Sequence, residues 1–200
     1  MGRRSKSTER RGQILKAAAS LFIKKGYVNT SVRDIANKCN VNVATLYHYI
    51  GSKEKILSLF QEYTMAHLQA RIEQHRKTIN SLGPKEALVH VISEYLKWVD
   101  EYQDVTVFWY QESKNLTPQQ MKNLTAQEEF TVELFTELLE NGARRGVFNV
   151  QDIALTAHNI VVMCDMWAFR RWLLKKQFTF EQYVADQTRL ILALVSVHDI

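Results

Sequence analysis

Over residues 8–25 the apolar positions Ile14, Leu15, Ala18, Leu21 and Phe22 recur at steps of three and four, the spacing that lines one face of a helix. Gly26 follows, a residue free to take the left-handed backbone that stops a helix. Ser31 and Asp34 have the spacing of a reciprocal capping box, which predicts a second, short helix ending near Cys39. The triplet Asn40-Val41-Asn42 interrupts it, and Asn42 is a good N-cap for a third helix from Val43 to about Ile50. Gly51-Ser52 breaks the chain again. Ser52 caps a fourth helix from Lys53 to about Asn80, with Ile56, Phe60, Tyr63 and His67 along one stripe.

Pro84 suits the first turn of a fifth helix, whose wide apolar arc (Leu88, Val91, Ile92, Tyr95, Trp98, Val99, Tyr102) predicts burial on most sides. The run VTVFWYQES over 105–113 is aromatic and β-branched enough for a strand, but no partner strand is visible, so it reads as a short sixth helix. A seventh spans about 118–145 and stops at Gly146. Asp152 caps an eighth that runs through Trp172. Thr179 and Gln182 form a box at the start of the ninth, with Phe178 and Tyr183 placed as a hydrophobic staple. The predicted fold is all-α.

Charge divides the chain unevenly. Residues 1–60 hold twelve Lys and Arg against Glu9, Asp34 and Glu54, a net +9, while residues 61–200 carry a net −4. A basic segment joined to a mildly acidic one points to a polyanion as the partner of the first. Cys39 and Cys164 fit no metal-ligand spacing and read as reduced thiols of a cytoplasmic protein. No apolar run approaches the roughly 20 residues of a membrane span, and the basic start is not followed by a secretion signal's apolar segment. Nothing matches a phosphate loop, an activated nucleophile or a paired-carboxylate site, so no catalytic residues, cofactor or metal is expected.

Residues 31–50 have the anatomy of a helix-turn-helix. Small Ala36 allows close approach, and Ile35, Val41, Leu46 and Tyr49 can seal the angle between the helices. Asn40 occupies the sharp turn, where Gly is usual and Asn the next most tolerant residue. The start of the recognition helix (Val43, Ala44, Thr45) would face base edges in the major groove, with Tyr47 and His48 a turn further on within reach of phosphates. Arg33 is suited to bidentate contact with guanine. Lys53 sits where a helix N-terminus disfavours a cation unless a phosphate docks there.

The stretches ILKAAASLFIKKGY from Ile14, TSVRDIA from Thr30 and VNVATLYHYIGSKE from Val41 resemble the DNA-binding domain of the tetracycline-repressor (TetR) family. Asn40 in place of the usual Gly and Asn42 in place of Ser or Thr are the two departures, and both suit the same local geometry. The resemblance implies a nine-helix subunit with a helix-turn-helix domain over 1–55 and an effector-binding and dimerisation domain over 56–200. It implies double-stranded operator DNA, a small-molecule effector and a second copy of the chain as partners, without a membrane. By position it makes Arg33, Val43, Ala44, Thr45, Tyr47, His48 and Lys53 the DNA contacts. Beyond residue 60 the likeness weakens, though FWYQESKNL over 108–116 and the cluster over 167–172 are similar to a subset of the family, some of whose members respond to acyl-coenzyme A thioesters.

The implied effector site is assigned to Tyr95, Trp98, Phe108, Trp109, Glu112, Phe130, Met163 and Trp167, each of which also reads as ordinary helical core. Asp165 and Glu94 are candidates to hydrogen-bond an effector, with a surface salt bridge as the plainer reading. Arg170 and Arg171 read as phosphate holders or as solvated helix ends. The apolar run LILALV from Leu190 is too apolar to face water, which assigns Trp172, Tyr183, Leu190, Ile191 and Leu194 to a dimer interface. The function expected is a repressor released from a palindromic operator by its effector. The alternative is a membrane-surface or protein-interaction helical module, because a basic amphipathic first helix also suits anionic lipid.

Overall fold

A computed structural model of the chain describes residues 2–27 and 29–196, and among these it holds ten α-helices and no strand. They are α1 (Gly2–Lys25), α2 (Val32–Lys38), α3 (Val43–Ile50), α4 (Lys53–Ser81), α5 (Pro84–Glu101), α6 (Gln103–Glu112), α7 (Pro118–Arg144), α8 (Ile153–Phe169), α9 (Arg171–Leu174) and α10 (Phe180–Val195). A single 3-10 turn, Ser113–Asn115, follows α6, so the aromatic 105–113 run is helical as expected.

The caps fall where the sequence puts them. Gly26 turns to φ +80° and its N–H closes α1 on the Phe22 carbonyl at 2.7 Å. The Lys55 N–H donates to Ser52 Oγ at 3.3 Å at the head of α4. Asp152 accepts from the Leu155 N–H at 2.9 Å, and Thr179 and Gln182 satisfy one another's backbone N–H groups ahead of α10. The Phe178 and Tyr183 rings meet at 6.4 Å as the staple requires. Thr117 and Gln120 make a further reciprocal cap at α7.

One helix more than the nine expected is present, because α8 does not continue through Trp172. It ends at Phe169, Arg170 leaves helical geometry at φ −114°, and α9 starts at Arg171. The break turns Arg171 toward Asp100, where its guanidinium pairs with the carboxylate that also accepts from Trp167 Nε1 at 2.7 Å.

By packing, the chain divides into two compact units. The first is Met1–His67 with Asp104–Leu124, and the second is Leu68–Gln103 with Thr125–Ile200. Helix α4 runs unbroken past residue 55, so the first unit extends beyond the helix-turn-helix expected over 1–55 and takes in α6 as well. In the first unit, α2 and α3 pack on α1 and on each other, and Phe108 of α6 lies 5.6 Å from Phe22 of α1. Tyr63 of α4 lies over Gly12, where any Cβ would come within 2.8 Å of its ring. The α4 stripe holds buried Ile56, with the Tyr63 and His67 rings 4.2 Å apart; the Phe60 side chain lies outside the described residues. In the second unit α5 packs on α8 and α10, around Leu88, Ile92, Phe135, Trp167 and Ile191. Asn149 N–H donates to the Val195 carbonyl at 2.9 Å and secures the end of α10.

Candidate nucleic-acid interface and ligand core

The turn between α2 and α3 is built from backbone bonds that its two asparagines make possible. Asn40 adopts φ +52°, the left-handed conformation anticipated for it. Around it the Cys39 N–H donates to the Ile35 carbonyl at 3.0 Å and the Val41 N–H to the Ala36 carbonyl at 3.0 Å. Asn42 then caps α3, its Oδ1 accepting from the Thr45 N–H at 2.6 Å. At α2, Ser31 and Asp34 form the capping box, and the Ser31 hydroxyl and backbone N–H, with Lys25, pull the Asp34 carboxyl down to about 2. A helix pair with both N-termini capped is held rigidly, which is what base-edge recognition needs.

Ile35, Ala36, Leu46 and Ile50 are buried in the seam between the helices, and Val41 and Tyr49 are half-buried along it. The residues named for DNA contact point the other way. Arg33, Ala44, Tyr47 and His48 are exposed, and Val43 and Thr45 are half-exposed at the start of α3. Tyr47 keeps 44% of its surface open. Lys53 extends over the Tyr27 ring at 4.4 Å, a cation–π contact that gives the cation a partner at the α4 N-terminus.

Part of the basic charge of the first unit is used internally. Arg10 donates to the Cys39 carbonyl at 3.0 Å, Lys38 to Ser20 Oγ at 2.7 Å and Lys25 to Asp34 at 3.2 Å, so these three cations bind the helices together. Sequence reasoning missed them because their partners lie nine to 29 residues away. The close approach at Gly12 did have a signal, an isolated glycine within a helical pattern.

The residues assigned to an effector are divided between the two units. Phe108, Trp109 and Glu112 belong to the first unit, where Phe108 and Trp109 are buried. Tyr95, Trp98, Phe130, Met163 and Trp167 belong to the second. Trp167 is locked there by its bond to Asp100 and by the Tyr183 and Phe180 rings at 4.8 and 5.5 Å. Arg171, one candidate phosphate holder, is instead paired with Asp100 and lies over the Trp167 ring. Of the interface candidates, Trp172, Leu190 and Leu194 are exposed, but Ile191 is fully buried and Tyr183 nearly so, its hydroxyl bonded to the Met163 carbonyl at 3.2 Å. Ile191 faces the core of its own subunit, because a helix with period 3.6 cannot turn Leu190 and Ile191 the same way, while Tyr183 is held inward by its hydroxyl bond and by the Trp167 ring at 4.8 Å.

Asp165 and Glu94 are not surface residues. Glu94 is buried and bonds Lys97 at 2.6 Å, with His75 at 3.5 Å; His75 in turn meets His90 at 2.8 Å. Asp165 accepts from the Tyr95 hydroxyl at 3.0 Å inside the second unit. Burial pushes the Asp165 carboxyl up to about 8, and the negative charge of Glu128 adds to the push against the opposing Tyr95 hydrogen bond. Burial also raises the Tyr95 phenol and the Cys164 thiol, and takes Tyr183 to about 12. The interior of this unit therefore holds a set of titratable groups kept neutral. Among the described residues no group of three or more His, Cys, Asp or Glu could hold a metal ion, and no helix is long and apolar enough to cross a membrane.

Residues 14–59 match the model of the bacterial regulatory proteins of the tetR family, and residues 81–173 match a tetracyclin repressor-like C-terminal domain. The chain is similar to the HTH-type transcriptional regulator HbdR of Aromatoleum sp. (strain CIB), 28% identical over 185 residues that cover 92% of this chain and 79% of that protein. It is similar to the HTH-type transcriptional repressor KstR2 of Mycobacterium tuberculosis (strain ATCC 25618 / H37Rv), 24% identical over 183 residues, 88% of this chain and 90% of that one. Among solved structures it resembles the TetR family transcriptional regulator PfmR from Thermus thermophilus, at 31% identity and a TM-score of 0.73, covering 90% of this chain and 97% of that one. Capped recognition helix, left-handed turn and matched halves agree: the chain is a transcriptional regulator of the tetR family.

Proposed function

We propose that the protein is a homodimeric repressor that grips a palindromic operator and leaves it when a small uncharged or hydrophobic molecule binds its second unit. The observation that carries this reading is the α3 surface. A rigidly capped helix presents Ala44, Tyr47 and His48 outward, with Arg33 exposed beside it on α2, while its other face is sealed by Leu46 and Ile50. In this reading residues 1–55 supply DNA binding, and residues 56–200 supply effector binding and dimerisation. Val43, Ala44 and Thr45 meet base edges; Arg33 reads guanine; Tyr47, His48 and Lys53 meet phosphates. The name repressor, carried by KstR2, supports the direction of control.

The apolar surface of the second unit supports the dimer. On α10, Leu190 and Leu194 are 58% and 52% exposed, and on α8 Leu155 is 57% exposed. Packing a second copy against these side chains removes a patch that a monomer would leave in water. Effector control then needs two subunit arrangements, and the effector moves the balance by its difference in affinity for them and by nothing else.

The test is selection of duplex DNA from random sequence, followed by gel shift across a salt series. Tyr47→Ala should weaken binding and lower the slope of log affinity against log salt by about one counterion. Arg33→Ala should cost roughly tenfold and relax preference at one base position. Sedimentation should show a dimer that Leu190→Glu with Leu194→Glu converts to monomer. No salt-sensitive affinity for any duplex, with the protein instead sedimenting with anionic vesicles, would favour the membrane-surface alternative.

A further inference from the structure

Within the second unit, where α4 ends and α5 begins, a cavity of about 380 Å³ opens between these helices and the last turns of α7. Two helical stripes line it. Ile72, Arg76 and Asn80 follow one another a turn apart on α4, and Leu138, Asn141 and Arg145 do the same at the end of α7. The Arg145 N–H bonds the Asn141 carbonyl at 3.2 Å, which carries the winding of α7 one residue past Arg144, and Gly146 at φ +68° then ends it. Ile72, Leu138 and Ala87 of α5 are buried and give the cavity an apolar surface. Its polar groups are unevenly matched. Arg76 donates to Glu73 at 2.6 Å and feels the charge of Glu137, another lining residue. The side chains of Arg145, Asn80 and Asn141 have no hydrogen-bond or ion-pair partner among the described residues. A cation at the end of α7 also offsets the helix dipole. The dipole, however, asks for no carboxamide, and here two of them from two helices share one cavity with the arginine.

We propose that this cavity is a binding site for a singly charged amphiphile, a carboxylate carried on an apolar body. The carboxylate pairs with Arg145 and accepts from the Asn80 and Asn141 amides, and the body lies along Ile72, Ala87 and Leu138. A guanidinium meets a carboxylate through two parallel N–H···O bonds, so one unmatched arginine suits one carboxylate. A doubly charged phosphate ester would set its second charge against Glu137, and an uncharged head would leave Arg145 without an ion partner. The volume lies in the usual range for small-molecule pockets, roughly 300–1,000 Å³. Residues 61–200 carry a net −4, so the overall charge of this part of the chain does not draw an anion in, and selection rests on Arg145 and the two carboxamides. None of the residues assigned to the effector lines the cavity. The site is therefore additional to that assignment, and it requires neither the operator nor the dimer.

The experiment uses the full chain and three probes: octanoate, which has both parts; 1-octanol, which lacks the charge; and acetate, which lacks the body. Calorimetric titration near neutral pH, at fixed ionic strength, should show octanoate binding and 1-octanol at least about tenfold weaker, the worth of a charge-assisted hydrogen bond. Acetate should give no measurable heat. Arg145→Ala should weaken octanoate at least about tenfold and bring it toward 1-octanol, and Asn80→Ala and Asn141→Ala should each weaken it about fivefold. Arg144→Ala is the control: this arginine is exposed one residue earlier and lines no part of the cavity, so octanoate affinity should not change. All four side chains are exposed or half-exposed, so the unliganded variants should melt close to the wild-type temperature, and a loss of affinity then belongs to the site. Failure of octanoate to bind, or equal affinity for 1-octanol, would overturn the proposal. Unchanged octanoate affinity in Arg145→Ala would place the ligand elsewhere in the chain, and an equal loss in Arg144→Ala would reduce the effect to net charge; either overturns it as well.

Discussion

Replacing Asp165 by Asn should change how stability depends on pH more than it changes stability itself. The folded chain holds this carboxyl at about 8 against an ordinary 3.8, chiefly by burial. Unfolding therefore releases its proton at every pH between those values. A raised folded pKa gives a contribution that is fully present below the unfolded pKa and is lost as pH climbs toward the folded one. The loss runs at about 1.4 kcal/mol per pH unit and reaches on the order of 4 kcal/mol near pH 7. Asn removes the titration and keeps an acceptor for the Tyr95 hydroxyl, but it buries a new amide N–H at a pH-independent cost of about 1–3 kcal/mol. The variant should then be more stable than the wild type near pH 7 by about 1–3 kcal/mol and level with it or below it near about pH 4.5. The neutral Tyr95, Cys164 and Tyr183 stay in place in both proteins, so the difference belongs to Asp165. Urea unfolding followed by tryptophan fluorescence, at one protein concentration across this pH range, measures it. Two parallel curves of unfolding free energy against pH would refute the reasoning, whatever their vertical separation.

Two further substitutions test the packing. A Cβ on Gly142 would sit 1.9 Å from the Phe148 ring, so Gly142→Ala should cost roughly 2–3 kcal/mol or more, and Phe148→Leu in the same chain should recover part of that loss in a double-mutant cycle. At the recognition turn, Asn40→Ala should cost about 1 kcal/mol because φ is +52° there, whereas Asn40→Gly should be neutral or slightly stabilising; thermal melts of the two variants should separate in that order.

Most helix ends were legible because the signals that set them are local. Ser31 with Asp34, Asn42, Asp152 and Thr179 with Gln182 each act over three residues, and each makes the backbone bond its spacing implies. The left-handed turn at Asn40 was legible for the same reason. The end of α8 was not. It depends on Asp100, nearly seventy residues away, accepting from both Trp167 and Arg171, and no window of sequence contains that relation. The exposed face of α3 followed from its period, but the internal use of Arg10, Lys25 and Lys38 did not, since a count of basic residues cannot tell a clamp from a phosphate ligand.

The polar interior was the least legible part. Asp165 stands between Cys164 and Met166 and Glu94 between Ser93 and Tyr95, and the ordinary expectation for a helical carboxylate is solvent or a surface ion pair. Glu94 meets that expectation halfway, with Lys97 as its partner at the edge of the unit. Asp165 does not: it is buried and bonded to the Tyr95 hydroxyl. Hence Asp165, for which a surface ion pair was the plainer reading, is the group whose place only the fold supplies.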